Sequence, residues 1–172
     1  MAHTITLKVG TITGDSKGVA DPKKKLSDAK IHVNEIDCLS WHWGITQTSK
    51  SSTGGGMSTA EVHDLTITKC VDSATPNLFV ACHTAAKQVV SGESYQGQPV
   101  GAILTLFKNV DGTPVEFLVI KLLGTVIVSS VQTGDAGEND MYTETVTFNF
   151  SKAVMVHTKD DGKSAETPIN IA

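Results

Sequence analysis

Short stretches in which apolar and polar residues alternate dominate this chain, and a period near two predicts strands. Residues 3–9 alternate, with Ile5, Leu7 and Val9 on one face. Residues 13–30 are polar and rich in lysine, and read as a loop or insertion. Strand character returns over 31–45. There Asp37, Leu39, Trp41, Trp43 and Ile45 are expected on one face, with Ile36, Cys38, Ser40 and His42 on the other. Residues 47–58 are rich in glycine and serine, the composition of a long flexible loop. Residues 61–71 read as a strand with Leu65, Ile67 and Val71 on one face.

Then the period changes. Thr75 can cap a helix and Pro76 can open it. Leu78, Phe79, Cys82, Ala85, Ala86 and Val89 fall on one helical arc, with Val80 and Lys87 opposite, so an amphipathic helix is expected over 76–88. Strands resume at 101–108 and 115–123, joined by a hairpin turn at Asp111-Gly112. Residues 124–133 continue as a strand. A polar loop then leads to 141–150, where Tyr142, Val146, Phe148 and Phe150 share a side. Residues 153–157 make a last strand, and 158–172 form a polar, weakly extended tail.

About eight strands and one helix, with no internal repeat, imply a mainly β fold. The expected architecture is a compact β-barrel of two packed sheets, which limits open edges, with one flanking amphipathic helix and a long loop between early strands. The length of 172 residues favours a single domain over 1–172.

Composition narrows the function. The net charge is −4 and all 14 basic residues are lysines, which argues against nucleic acid as a partner, because readers of nucleic acid favour arginine forks. No stretch approaches a membrane span, so no membrane insertion is expected. The amino terminus lacks the apolar run of a signal peptide, so synthesis in the cytoplasm and export without a cleavable leader are expected. Cys38, Cys70 and Cys82 form no CxxC pair and read as reduced thiols.

Candidate chemistry is thin. Cys38 and His42 share an expected strand face but lie roughly 13 Å apart, too far for one metal. Gly14-Asp-Ser-Lys-Gly18 has the form of a nucleophile elbow around Ser16, yet no core helix follows it. Gly162-Lys-Ser164 imitates the end of a phosphate loop without its first glycine or its helix. His63 and Asp64 are strand neighbours that point apart. No catalytic, cofactor or metal residues are assigned. The spacing of Trp41 and Trp43 suggests a packing ladder, in the core or against another subunit.

Several segments together resemble the Hcp family, the haemolysin-coregulated proteins of bacterial type VI secretion. They are Ile12-Thr-Gly-Asp-Ser-Lys17, Ile36-Asp-Cys-Leu-Ser-Trp-His-Trp-Gly44, Asp64-Leu-Thr-Ile-Thr-Lys69 and Ser73-Ala-Thr-Pro-Asn-Leu78. Glu116-Phe-Leu-Val-Ile120, Val126-Ile-Val-Ser-Ser-Val-Gln-Thr-Gly134 and Glu144-Thr-Val-Thr-Phe-Asn-Phe150 follow in family order. The lysine-rich segment around 20–30 and the tail after His157 depart from the pattern.

The resemblance implies a homo-hexameric ring, stacked into a tube inside a contractile sheath and expelled with a spike protein. It also implies a lumen that can hold small effector proteins, no cofactor and no catalytic centre. The protein would be cytoplasmic when assembled, then secreted. Gln47, Ser49, Lys50 and Met57 in the long loop, with Trp41 and Trp43, are the expected subunit or inter-ring contacts. A phage-like tail-tube protein, a small-ligand-binding barrel and a hydrolase using Ser16 are the rival readings.

Overall fold

The computed structural model describes residues 4–21, 30–48, 59–135 and 141–170. Its elements are β1 (Ile5–Val9), β2 (Lys17–Ala20), β3 (Lys30–Val33), β4 (Ile36–His42), β5 (Ile45–Thr48), β6 (Thr59–Val62) and β7 (Leu65–Cys70). They continue with α1 (Thr75–Thr84), β8 (Ser94–Tyr95), β9 (Gln98–Val110), β10 (Thr113–Leu123), β11 (Ile127–Asp135), β12 (Tyr142–Asn149), β13 (Lys152–Thr158) and β14 (Ser164–Asn170). The expected mainly β fold is therefore present, with one flanking helix among the described residues.

One hydrogen-bonded path runs β11-β12-β7-β4-β1-β9-β10-β13-β14, with β8 added beside β9. All its pairs are antiparallel. The path must curl. β10 and β11 lie six strand spacings apart on it, roughly 29 Å in a flat sheet. Only three residues, Gly124 to Val126, join them, a reach of about 14 Å between strand ends. The result is barrel-like but not closed, because among the described residues the end strands β11 and β14 pair only with β12 and β13.

The curled sheet encloses one apolar cluster. Leu7, Ile36, Ile67, Leu104, Ile120, Val146 and Phe148 are fully buried in it, joined by Leu78 from the helix. Asp111 (φ 49) and Gly112 (φ 82) both take left-handed conformations, the geometry of the tight turn between β9 and β10 that their sequence suggests.

Four expectations change. The 158–172 tail contains β14, which pairs with β13 from Ser164 to Asn170 after a turn closed by the Gly162 amide donating to the Lys159 carbonyl. It stays almost wholly exposed, so its polar sequence gives no buried face to detect. The lysine-rich insertion and the long loop each begin and end in hairpin strands, β2–β3 and β5–β6.

The helix stops at Thr84 rather than at 88. Ala85 turns left-handed (φ 50), and the Ala85 and Ala86 amides donate back to the carbonyls of Cys82 and Ala81. An alanine there carries no sequence signal for a stop. At the other end Ala74, not Thr75, occupies the cap position. Phe79 and Val89, expected on the buried arc, are 40% and 43% exposed; Ala74 and Ala81 are buried instead.

The fourth change is in β4. Its register against β7 slips between Cys38 and Ser40. This bulge reverses the alternation, so Ile36 and Cys38 face the core, Leu39 turns outward at 50% exposure, and Trp41 faces inward again. Leu39 and Trp41 therefore do not share a face.

Candidate assembly surfaces

The helix is seated on the sheet by polar contacts as well as by Leu78. Strand β7 carries its inward alternation from Leu65 and Ile67 on to Lys69, while Val71, expected inside, is 45% exposed. The Lys69 ammonium donates to Glu144 Oε1 at 2.6 Å, to Asp72 Oδ1 at 2.6 Å and to the Cys70 carbonyl at 2.7 Å. Thr75 donates to the same Glu144 oxygen at 2.9 Å and accepts from the Asp72 amide. Three of these groups sit within the turn that opens α1, so a buried charge pair sets where the helix begins.

A strap from the β1–β2 link reinforces this corner. The Ser73 hydroxyl and amide both donate to the Asp15 carboxylate, at 2.7 and 3.1 Å, and hold it below the ordinary carboxylate range. Ser16, next in sequence, is 4% exposed; its Oγ accepts from the Gly18 amide, and a strand follows it. It lies in a folded turn, not on an exposed elbow. His63 and Asp64 serve separate partners: His63 meets Thr46, and Asp64 accepts from Ser129 and Asn149. The 162–164 segment is the end of a hairpin turn that enters β14.

The expected contact residues separate. Trp43 packs on the core cluster, edge to face with Phe150 at 5.7 Å, and its indole N–H donates to the His63 carbonyl at 2.8 Å. Trp41 also packs on the core, but shows one side to an apolar groove of about 300 Å³ lined by Ile5, Leu39, Phe107 and Phe117. Gln47 is exposed on β5, opposite Ala60 of β6, in a hairpin that pairs with no other strand among the described residues. Ser49, Lys50 and Met57 lie outside the described residues.

Three features of possible contact surfaces were not read from the sequence. Both end strands of the sheet, β11 and β14, present an edge with no partner strand among the described residues. The apolar groove lies where β4 and β10 carry bulges, and Leu39 and Phe117, at those two bulges, are among the residues that line it. A cleft of about 690 Å³ separates the β2–β3 hairpin from β10, β13 and β14. Among the described residues no three His, Cys, Asp or Glu side chains are grouped to hold a metal, and no helix is long and apolar enough to cross a membrane.

Known proteins share this arrangement. Residues 7–157 match the family described as "Type VI secretion system effector, Hcp". Protein hcp1 of Pseudomonas aeruginosa is 36% identical, over 98% of this chain and 93% of its own. The crystal structure of Hcp1 from Salmonella typhimurium superposes with a TM-score of 0.71 at 28% identity, covering 99% of this chain and 95% of that one. A type VI secretion system effector from Yersinia pestis shares the fold, with a TM-score of 0.68 at 22% identity over 97% of this chain and 99% of that one. With the family matched across nearly the whole curled sheet and its helix, the chain belongs to the Hcp family of type VI secretion system proteins.

Proposed function

We propose that this protein is a structural subunit of the type VI secretion tube, forming hexameric rings that stack inside a contractile sheath and leave with the spike. The observation that carries the reading is the family match over 7–157, which spans β1 to β13. Two physical features support it. A closed ring needs two unlike surfaces on each subunit, and the open edges of β11 and β14 are two such surfaces. The groove beside Trp41 adds apolar area that contact with a second copy would remove from water.

In this reading Trp41 lies at the subunit contact, while Trp43 belongs to its own subunit's core. Gln47 and the arm it stands on, with Ser49, Lys50 and Met57, reach the neighbouring ring. Small effector proteins occupy the lumen, and the protein performs no catalysis of its own. It assembles in the cytoplasm and is then secreted.

Native mass spectrometry across protein and salt concentration tests the reading, followed by negative-stain imaging. Hexamers with a central hole support it. A monomer at every concentration refutes it.

A further inference from the structure

The β2–β3 hairpin is joined to the body differently from the strand pairs of the main sheet. Its strands pair with each other and with no strand of that sheet among the described residues. At one level the hairpin is distorted on both strands, where Gly18 (φ 78) and His32 (φ 60) are left-handed. Glycine tolerates this freely; histidine does not. Such a conformation persists where surrounding interactions over-determine it.

Those interactions are present. His32 Nδ1 lies 2.8 Å from Glu35 Oε2, and Nε2 lies 2.8 Å from Glu116 Oε1 on β10. The ring meets Phe107 edge-on at 5.1 Å, and the side chain is 16% exposed. A neutral imidazole has one N–H and can donate to only one of the two carboxylates. The imidazolium donates to both.

We propose that His32 is a proton-controlled clasp: as an imidazolium it locks the β2–β3 hairpin onto β10, and on losing its proton it releases the hairpin from the cleft beneath. Ile31, Val115, Val119 and Val156 line that cleft and become accessible on release. Glu35 beside the hairpin and Glu116 on β10 hold His32 directly, and Lys121 on β10, Glu166 on β14 and Asp21 after β2 are the other charged groups that line the cleft with it. Carboxylates outnumber the single ammonium, so the field favours the charged ring. Asp21 and Glu116 have further interactions of their own.

Burial by itself would lower the imidazole's pKa, but the hydrogen bonds and charges of Glu116 and Glu35 outweigh it and push it up to about 9. A value raised above the ordinary 6.5 fixes the sign. The closed hairpin has its full advantage below pH 6.5 and loses it as pH rises through about 9, by at most tenfold per pH unit. The ring's partial exposure makes the actual fall smaller. The device stands on this geometry alone and does not depend on the tube reading.

The test is hydrogen exchange read by mass spectrometry on the full chain in its native assembly between pH 6.5 and 9. Peptides over 17–21 and 30–35 are compared with peptides from β1 and β9 as the internal reference for intrinsic exchange. The expected result is a several-fold rise in relative exchange of the hairpin peptides with pH. His32→Asn, which tolerates a left-handed backbone, should exchange fast at every pH. Glu116→Gln should keep the fold and move the transition down by about one pH unit. A pH-independent hairpin in the wild type, or a Glu116→Gln profile identical to the wild type, overturns the clasp.

Discussion

The Lys69 ammonium lies 2.6 Å from a Glu144 carboxylate oxygen, and neither side chain is exposed to solvent. The pair joins β7 to β12 across the core face, directly under the start of α1. The second Glu144 oxygen is buried and has no hydrogen-bond partner among the described residues. Taking both charges out of water is costly, so the pair is weak evidence for stability, but breaking it is expensive. We therefore expect Lys69→Met to destabilise by about 3–5 kcal/mol in urea unfolding at fixed protein concentration. The double variant Lys69→Met with Glu144→Leu should lose much less than the sum of the singles. Additive losses would show that the two residues act independently.

Gly101 on β9 is required by space rather than by backbone angle. A Cβ there would come within 2.4 Å of Val126 Cβ and 2.8 Å of the Gln88 carbonyl oxygen. Neither is the end of a flexible side chain. Gly101→Ala should destabilise by about 1–3 kcal/mol, seen as a lowered melting temperature. An unchanged transition would mean that the link after the helix can shift away.

The cysteines should react unequally. Burial pushes the Cys38 thiol up to about 12, while Cys70 and Cys82 are only partly buried. In native protein at pH 8, iodoacetamide should modify at most Cys70 and Cys82, as counted by intact mass. Cys38 should react only on unfolding, since the thiolate is the attacking form. The raised value also means that stability falls as pH rises past the ordinary 9, where the unfolded thiol ionises and the folded one does not. Rapid native labelling of all three would contradict the packing of β4.

The tryptophans report on the same strand. Both indoles pack on their own chain's core, and Trp43 has its N–H satisfied by His63. Emission from Trp43, isolated in Trp41→Phe, should not shift when assemblies are dissociated by dilution. Trp41, isolated in Trp43→Phe, should shift to the red if its groove is covered by a neighbour. The opposite pattern would exchange their roles.

Removing residues 51–56, between β5 and β6 in sequence, should leave the melting temperature of the body unchanged, because those two strands pair with no other strand among the described residues. Ring stacking, scored by electron microscopy, should be lost. Unchanged stacks and secretion would remove the arm, and Gln47 with it, from the assembly contacts.

Local pattern determined a good deal here. Alternation marked β1, β7, β9, β10, β12 and β13, the Asp111-Gly112 pair marked its turn, and the change of period marked the helix, because each depends on neighbours within a few residues. The family segments were legible for the same reason. Tertiary structure decided the rest. Whether Leu39 or Trp41 faces inward depends on a bulge set by pairing with β7, and Lys69 can sit inside only because Glu144, 75 residues away, meets it there. His32 reads as an ordinary residue of the 31–45 strand stretch until β10 brings Glu116 to it across 84 positions. Strand β14 buries no apolar face, so only its hydrogen bonds to β13 reveal it. Short-range periodicity records which side chains avoid water; it carries no record of distant partners, which exist only once the sheet has curled.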